Sequence, residues 1–524
     1  MHDISCVTWI VWFQMGIQLP AWPGAWVFWK NMRKERLVLQ TCVVPDEICD
    51  KQELYYRSSE SLHINCGNVY LKAGQGLSSD TYMNILDVAT WGKYTEVAEM
   101  IFFCQIRGKG KILIVHEKEN EKTIVNEVAY GEDSKTDGCR GKQREDILLR
   151  IKTSQIKEGK IFFTIKTVEK SVLYHAEYRT EQKARKEIFL SLIICTFKRK
   201  EYIERNVSRI RASQFFMEEC KGHMFVRIID NAKELMDTYG SGIKVYGNEN
   251  TGGSGGFTKG MEETVKEKKQ YPTTHVILMD DDVELQTESF IRLYAFLSYL
   301  RKEYEKEQVA GRMFRLDQRE VQYTAAEIWN RGDIRHIGWN LDMTKKENLL
   351  YMNRNDGAEY GGWWFACYPI EFVENNRPIP FFLHCDDVEY GLRHGGTPLV
   401  LNGIQVWHET YEYRKSPMMA YYDMRNRMFV NQLFGFAPKK KELYMLWKKE
   451  ITEKHVHKDF RTEYMMICAM GDYCKGIKWL YKIKPQKNHL KKVKGKTNRW
   501  KNAVLWRWTS FYYHTIYKHN AEEG

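Results

Sequence analysis

The twelve cysteines of this chain include no CxxC pair and follow no regular framework, which excludes a zinc ribbon and a disulfide scaffold. A reducing cytosol fits that usage best. There is no internal repeat. The one glycine-rich stretch, 248–257, lacks the Lys-Ser/Thr ending of a P-loop and the spacing of a dinucleotide fingerprint. Charge is missing from Ile4 to Trp29, yet Gln14, Gly16, Gln18, Pro20, Pro23 and Gly24 interrupt the run, and neither a basic leader nor a small-residue cleavage site marks a signal peptide. Residues 1–36 are an uncertain apolar extension with three readings: a membrane anchor flanked by Lys30, Arg33, Lys34 and Arg36, an interfacial segment, or a start placed ahead of Met32.

What is present is enough chain for two or three domains: 524 residues, of which 43% are hydrophobic and 14% aromatic. The formal charge of +12 is concentrated at one end, since 439–524 hold 21 Lys+Arg against 8 Asp+Glu. That tail is also rich in Trp447, Trp479, Tyr481, Trp500, Trp506, Trp508, Tyr512 and Tyr513. Basic charge with interfacial aromatics fits adhesion to an anionic membrane surface. Nucleic acid would answer to the same charge, but that role rests on the tail alone and no nucleic-acid partner is expected.

Three kinds of pattern succeed one another. Residues 37–183 alternate short apolar runs (Lys111 to Val115, Ile147 to Ile151, Ile161 to Ile165) with turns, which predicts an all-β sandwich; Gly131 to Gln143 reads as a long loop. Residues 184–436 alternate buried strands (Phe189 to Ile194, Val226 to Ile229, Ile243 to Tyr246, His275 to Met279) with helical stretches, predicting a parallel-rich α/β sheet with its ligands at the strands' carboxyl ends. Residues 437–524 read as a basic, aromatic helical domain.

Asp280, Asp281 and Asp282 close the last of those strands. Three adjacent carboxylates repel one another unless a cation neutralises them, and such a cation is commonly held against a phosphorylated ligand. The competing reading is an acidic turn before the helix capped by Thr287. The glycines of 252–256 let backbone amides approach a phosphate or sugar, although a flexible turn explains them nearly as well. Trp363 and Trp364 form a stacking wall for a saccharide or belong to the core. Asp386, Asp387 and Glu389 offer a general base at a helix start, or cap that helix. His408 is a structural imidazole or a third ligand for a borderline cation.

Taken in order, Thr196-Phe197-x-Arg199, Asp230-Asn231, Asn250-x-Gly252-Gly253-x-Gly255-Gly256, Asp280-Asp281-Asp282, Trp363-Trp364, Asp386-Asp387-x-Glu389 and Trp407-His408 resemble the family 2 glycosyltransferases of the GT-A fold. More narrowly the chain is similar to the polymerising galactofuranosyltransferases of cell-wall galactan synthesis, from about residue 50 to the end. The stretches Thr81 to Asn84 and Trp91 to Thr95 resemble that group's β-sandwich. The resemblance implies a GT-A (Rossmann-like) α/β catalytic domain between the sandwich and the helical region. It implies that Phe197, Arg199, Asp230, Asn250 and Asp281 bind a UDP-sugar and that Asp280, Asp282 and His408 hold Mn²⁺ or Mg²⁺. Asp387 would be the base, with Trp363, Trp364, Asp386 and Glu389 at the acceptor. The implied activity is inverting transfer of galactofuranose to a lipid-linked glycan by a cytoplasmic enzyme peripheral on the inner face of the membrane, with homo-oligomerisation open. The alternatives are another donor, a UDP-hexose or dTDP-rhamnose, or a nucleotidyltransferase. Cys385 behind His384 stands where the family pattern has tryptophan, a departure that bears on the acceptor.

Overall fold

The structure is a computed structural model that describes residues 37–515, apart from 120, 132–142, 154–155, 157, 214, 220–221, 411–415, 437–438 and 496. The apolar extension 1–36 and most of the loop expected at 131–143 therefore lie outside the described residues.

The first part of the chain forms two antiparallel sheets. One contains Leu37–Thr41, His63–Asn65, Asn68–Leu71, Met100–Arg107, Glu145–Ile151 and Ser171–Thr180; the other contains Arg57–Ser58, Gly76–Ser78, Gly110–Lys118, Glu121–Tyr130 and Lys160–Thr167. In Asn68–Leu71 alternate side chains, Val69 and Leu71, turn inward. Phe102 of the first sheet meets Phe163 of the second with ring centroids 4.8 Å apart.

The second part is a mixed α/β sheet whose six strands run in the spatial order Ile243–Gly247, Met224–Asp230, Leu190–Thr196, His275–Asp280, Ala366–Pro369, Val309–Ala310. The first four are parallel and the next joins antiparallel. Strands buried on both faces read as continuous apolar runs, which is why Leu190–Thr196, Met224–Asp230 and His275–Asp280 were visible in the sequence; the edge strand Ile243–Gly247 exposes Lys244. The helix Glu288–Tyr299 starts where expected, with Thr287 at its N-cap, but the threonine side chain makes no capping bond. One hydrophobic cluster runs from the paired sheets into the α/β sheet. A second belongs to the helices Pro417–Leu433, Lys440–Val456 and Phe460–Tyr473 and to Phe381, Phe382 and Val388.

The glycine-rich stretch is neither a flexible turn nor an open loop. Its four glycines, 252, 253, 255 and 256, lie at the start of the helix Gly252–Lys266, behind Thr251 at the N-cap. A Cβ at Gly252 (φ +74°) would lie 2.0 Å from the Phe382 carbonyl oxygen, at Gly256 2.1 Å from Cys195 Sγ, and at Gly260 2.3 Å from a methyl carbon of Ile193. Spaced four apart, these positions share one helix face. The bare positions 256 and 260 let the helix lie flat on the Leu190–Thr196 strand, and Gly252 lets Phe382 approach its start.

Candidate active site

Strand register builds the site. In the parallel sheet Thr196 pairs with Asp230, Asp230 with Gly247, and Cys195 with Asp280. Phe197, Arg199, Asn250 and the acidic triplet therefore emerge along one carboxyl edge, where open α/β sheets gather ligands. His408 reaches the same edge by a separate route. The strand Glu284–Leu285, just beyond the triplet, pairs antiparallel with Gln405–His408, setting Glu284 opposite Trp407.

Asp280, Asp282 and His408 form the one cluster, among the described residues, whose potential ligand atoms suit a metal ion, all within 4.8 Å of one another. His408 Nε2 lies 3.1 Å from Asp282 Oδ1 and 3.6 Å from Asp280 Oδ2. Two carboxylates with one imidazole make a donor set that suits a borderline divalent cation such as Mn²⁺. Asp281 is not part of that cluster. Arg199 Nη1 bridges Asp281 Oδ1 at 2.9 Å and Asp282 Oδ2 at 2.8 Å, and Asn206 Nδ2 donates to the Asp281 carbonyl at 3.0 Å. Burial pushes the Asp281 carboxyl up from its usual range against the pull of Arg199.

Asp386 and Asp387 begin the helix Asp386–His394. Burial raises the Asp386 carboxyl to about 6 despite the backbone amides and His384, which favour its ionised form. Asp387 is pushed well above the ordinary range, first by burial, then by the charges of Asp386 and Glu327, and also by that of Asp280. Two adjacent carboxyls, Asp386 buried and Asp387 half-buried, resist a second negative charge, so the pair takes up a proton more readily than a free carboxylate. The preceding segment is strained: Phe382, His384 and Cys385 have φ of +78°, +66° and +62°. A non-glycine residue pays about 1–3 kcal/mol for such a conformation, and it persists only where the surroundings hold it.

Other expected site residues are already engaged. Asp230 accepts from the backbone amides of Ala232, Glu234 and Leu235 at 2.8, 2.6 and 2.8 Å, and Asn250 Oδ1 accepts from Gly252 N at 3.1 Å. Both fix loops at the sheet edge. Glu389 is buried and gripped by Arg393 one helical turn on, at 2.7 and 2.8 Å. Trp363 is 4% exposed and packs edge-on against Phe257 and Tyr390, so it offers no free stacking face. Trp364 is half-buried, with Nε1 donating to Gly311 O at 2.8 Å. Phe197, by contrast, is 39% exposed.

Sequence reasoning passed over Glu327 and His336. They pair across the hairpin Glu327–Asn330/Asp333–His336, with His336 Nδ1 2.9 Å from Glu327 Oε1, and Glu327 helps to raise Asp387. No motif marks them, because the hairpin alone makes them neighbours.

A mixed α/β sheet with an Asp–Asp–His cluster at its carboxyl edge and an acid pair nearby suits a glycosyltransferase, and the comparisons support that class. No family model matches the chain. The galactofuranosyltransferase GlfT2 of Mycobacterium tuberculosis is 22% identical over 470 residues, covering 84% of this chain and 72% of that protein. GlfT2 of Mycolicibacterium smegmatis is 25% identical over 217 residues, 38% of this chain and 33% of its own. The resemblance to galactofuranosyltransferases read from the motifs thus stands at the level of whole sequences. Among solved structures, a mannosyltransferase from Pyrobaculum calidifontis, determined with GDP-mannose and Mn²⁺, aligns over 64% of this chain and 83% of its own at 10% identity and a TM-score of 0.30. That likeness is too loose to build on.

Proposed function

We propose that this protein is a metal-dependent inverting glycosyltransferase that moves a sugar, galactofuranose by its likeness to GlfT2, from a UDP-sugar to a hydroxyl of a growing cell-surface glycan. The observation that carries the reading is the convergence of Asp280, Asp282 and His408 at the strand edge, within electrostatic reach of Asp387. In this reading 37–183 form a β-sandwich, 184–436 a GT-A catalytic domain and 437–524 a helical domain.

Asp280, Asp282 and His408 would hold Mn²⁺ or Mg²⁺, whose charge, when bound, offsets that of a departing diphosphate. The exposed ring of Phe197 offers a face for the flat uracil, and Arg199, held by Asp281 and Asp282, keeps a fixed positive charge at the donor edge. Asp387 takes the proton of the acceptor hydroxyl while that oxygen forms its bond to the anomeric carbon. The bond from that carbon to the diphosphate oxygen breaks on the opposite side, which inverts the configuration. The raised affinity of the acid pair for protons makes Asp387 a stronger base than an exposed carboxylate.

A donor screen tests the reading: protein with Mn²⁺ or Mg²⁺ and a panel of UDP- and dTDP-sugars, scored by nucleotide release. Release from UDP-galactofuranose with acceptor present is expected; none from any donor would overturn the assignment. Chelation should abolish release, and Asp282→Ala or His408→Ala should raise the cation concentration needed for half-maximal rate by roughly 10–100-fold, by analogy with lost metal-site partners. An unchanged cation requirement in both variants would remove this triad as the metal site.

The same reading brings the protein to the inner face of the membrane, where a lipid-linked acceptor lies. Among the described residues no helix is long and apolar enough to cross a bilayer. The tail's aromatic residues divide into two sets. Trp447 and Tyr513 are core residues, and Trp506 stacks on Trp447 at 5.1 Å. On the helix Arg499–Thr515, however, Trp500 (81% exposed), Val504, Trp508 (68%) and Phe511 form an outward stripe, beside Arg499, Lys501 and Arg507. Cosedimentation with vesicles containing phosphatidylserine is expected to weaken several-fold in Trp500→Ala/Trp508→Ala and in high salt. Equal pelleting of the variant and the parent protein would reject the stripe as a membrane contact.

A further inference from the structure

The segment Phe382 to Cys385, which delivers Asp386 and Asp387, contains three residues in the left-handed region. Such a segment keeps its shape only if something grips it. One helix outside the α/β sheet, Pro417–Leu433, grips it at several points. Asn426 Nδ2 donates to the carbonyls of Leu383 and His384 at 2.7 and 2.8 Å. Arg425 Nη2 donates to the Phe381 carbonyl at 2.5 Å, and Asp423 Oδ1 lies 2.8 Å from His384 Nδ1. From the helix Gly252–Lys266 the Ser254 hydroxyl joins them, accepting from Phe382 N at 2.7 Å.

The orientation of the Asn426 amide is fixed in turn. Arg425 Nε donates to its Oδ1 at 2.9 Å, leaving the NH₂ end toward the strained carbonyls. Arg425 Nη1 reaches the Tyr421 hydroxyl at 3.1 Å, and that hydroxyl donates to Asp472 Oδ2 at 2.6 Å in the helix Phe460–Tyr473. Asp472 is itself neutralised by Lys475 and Lys492. Asn426 and Arg425 are both buried, so no water replaces either partner cheaply.

The geometry points to Asn426 as a positioning residue for sugar transfer: with Arg425 behind it, it holds Phe382 to Cys385 in the shape that aims Asp387 at the acceptor hydroxyl. The inference rests on Asp387 being the base. It also gives the helical region after the α/β sheet a part in the chemistry, because the hydrogen-bond chain from Asp472 ends at the base's own loop.

Asn426→Ala tests it. The expected result is a fall in kcat of roughly 100-fold, the cost of a misplaced reacting group, with the KM for donor and the cation requirement unchanged. The rate should also start to rise at lower pH, because a loosened loop exposes Asp387 to water and relaxes its raised affinity for protons. A merely structural role would lower the melting temperature and leave both kcat in the folded fraction and the pH profile as they were; that result overturns the proposal. If Asn426→Ala does not fold, Asn426→Ser, with one donor for two carbonyls, is read by the same two measurements, and unchanged values again reject the role. The base assignment is tested separately by Asp387→Asn. Inactive Asp387→Asn beside fully active Asn426→Ala would sink the positioning role alone, whereas active Asp387→Asn would sink the base.

Discussion

Asp387→Asn is expected to lower sugar transfer by about 10²–10⁴-fold, the usual contribution of a positioned general base, while leaving UDP binding unchanged. Asparagine keeps the size of the side chain and the acceptor for Val388 N, which in the parent protein is Asp387 Oδ1 at 2.8 Å. What it removes is the ability to take a proton. The same substitution should stabilise the fold near neutral pH. Burial and the neighbouring acids raise the folded-state affinity of Asp387 for a proton, so the folded protein favours the protonated carboxyl. That contribution is present at acid pH and is lost as the pH rises through the raised folded value. Asp387→Asn should therefore melt at a higher temperature than the parent protein at about pH 8 and at nearly the same temperature at about pH 2.5, below the ordinary carboxylate range. Higher stability with lost activity is the pattern of a group kept for chemistry at the expense of the fold. Transfer at the parental rate would remove Asp387 from the mechanism, and a lower melting temperature at about pH 8 would contradict the burial argument.

The largest expected loss of stability comes from Arg292→Met. Arg292 is fully buried where the paired antiparallel sheets meet the α/β sheet. Its Nε donates to Glu288 Oε1 at 2.8 Å, Nη1 to the Asn402 carbonyl at 2.9 Å, and Nη2 to the carbonyls of Met83 and Thr41 at 2.6 and 3.3 Å. Glu288 Oε1 also accepts from Thr41 N at 2.8 Å. Around this centre Asn402 Nδ2 donates to the carbonyls of Tyr82 and Ile85 at 3.0 and 3.1 Å. Gly403, with φ +78°, leaves the room the guanidinium fills; a Cβ there would stand 2.0 Å from Arg292 Nη1. Removing one member of a buried ion pair costs about 3–5 kcal/mol, because the other charge is left buried without compensation. Arg292→Met should lower the unfolding free energy read from urea denaturation by that amount, and adding Glu288→Gln should recover part of it. A single variant as stable as the parent would mean that this junction contributes little to folding.

Legibility in the sequence followed the range of the interaction. The three inner parallel strands showed because burial on both faces makes them mainly apolar, and the triplet showed because three acids at such a strand's end have no core role. The joining of His408 to Asp280 and Asp282 rests on the short pairing of 284–285 with 405–408, which no local pattern announces; only the family resemblance brought those residues together. The grip of Arg393 on Glu389 had a local signal, the four-residue spacing of opposite charges on one helix. The hold of Asn426 on a loop 42 and 43 residues earlier had none. The tail's composition was legible, but which of its tryptophans face outward depended on how the helix Arg499–Thr515 seats against Trp447.

The bare face of the helix Gly252–Lys266 has a consequence for how such sequences can diverge. Gly252 stands against the Phe382 carbonyl, and Ser254, two residues on, holds Phe382 N across a separation of 128 positions. A side chain at 252 could be accommodated only by a different path at 382. Lineages that lose this glycine should therefore carry a reshaped segment before the paired acids, so that two stretches far apart in the chain drift together or not at all.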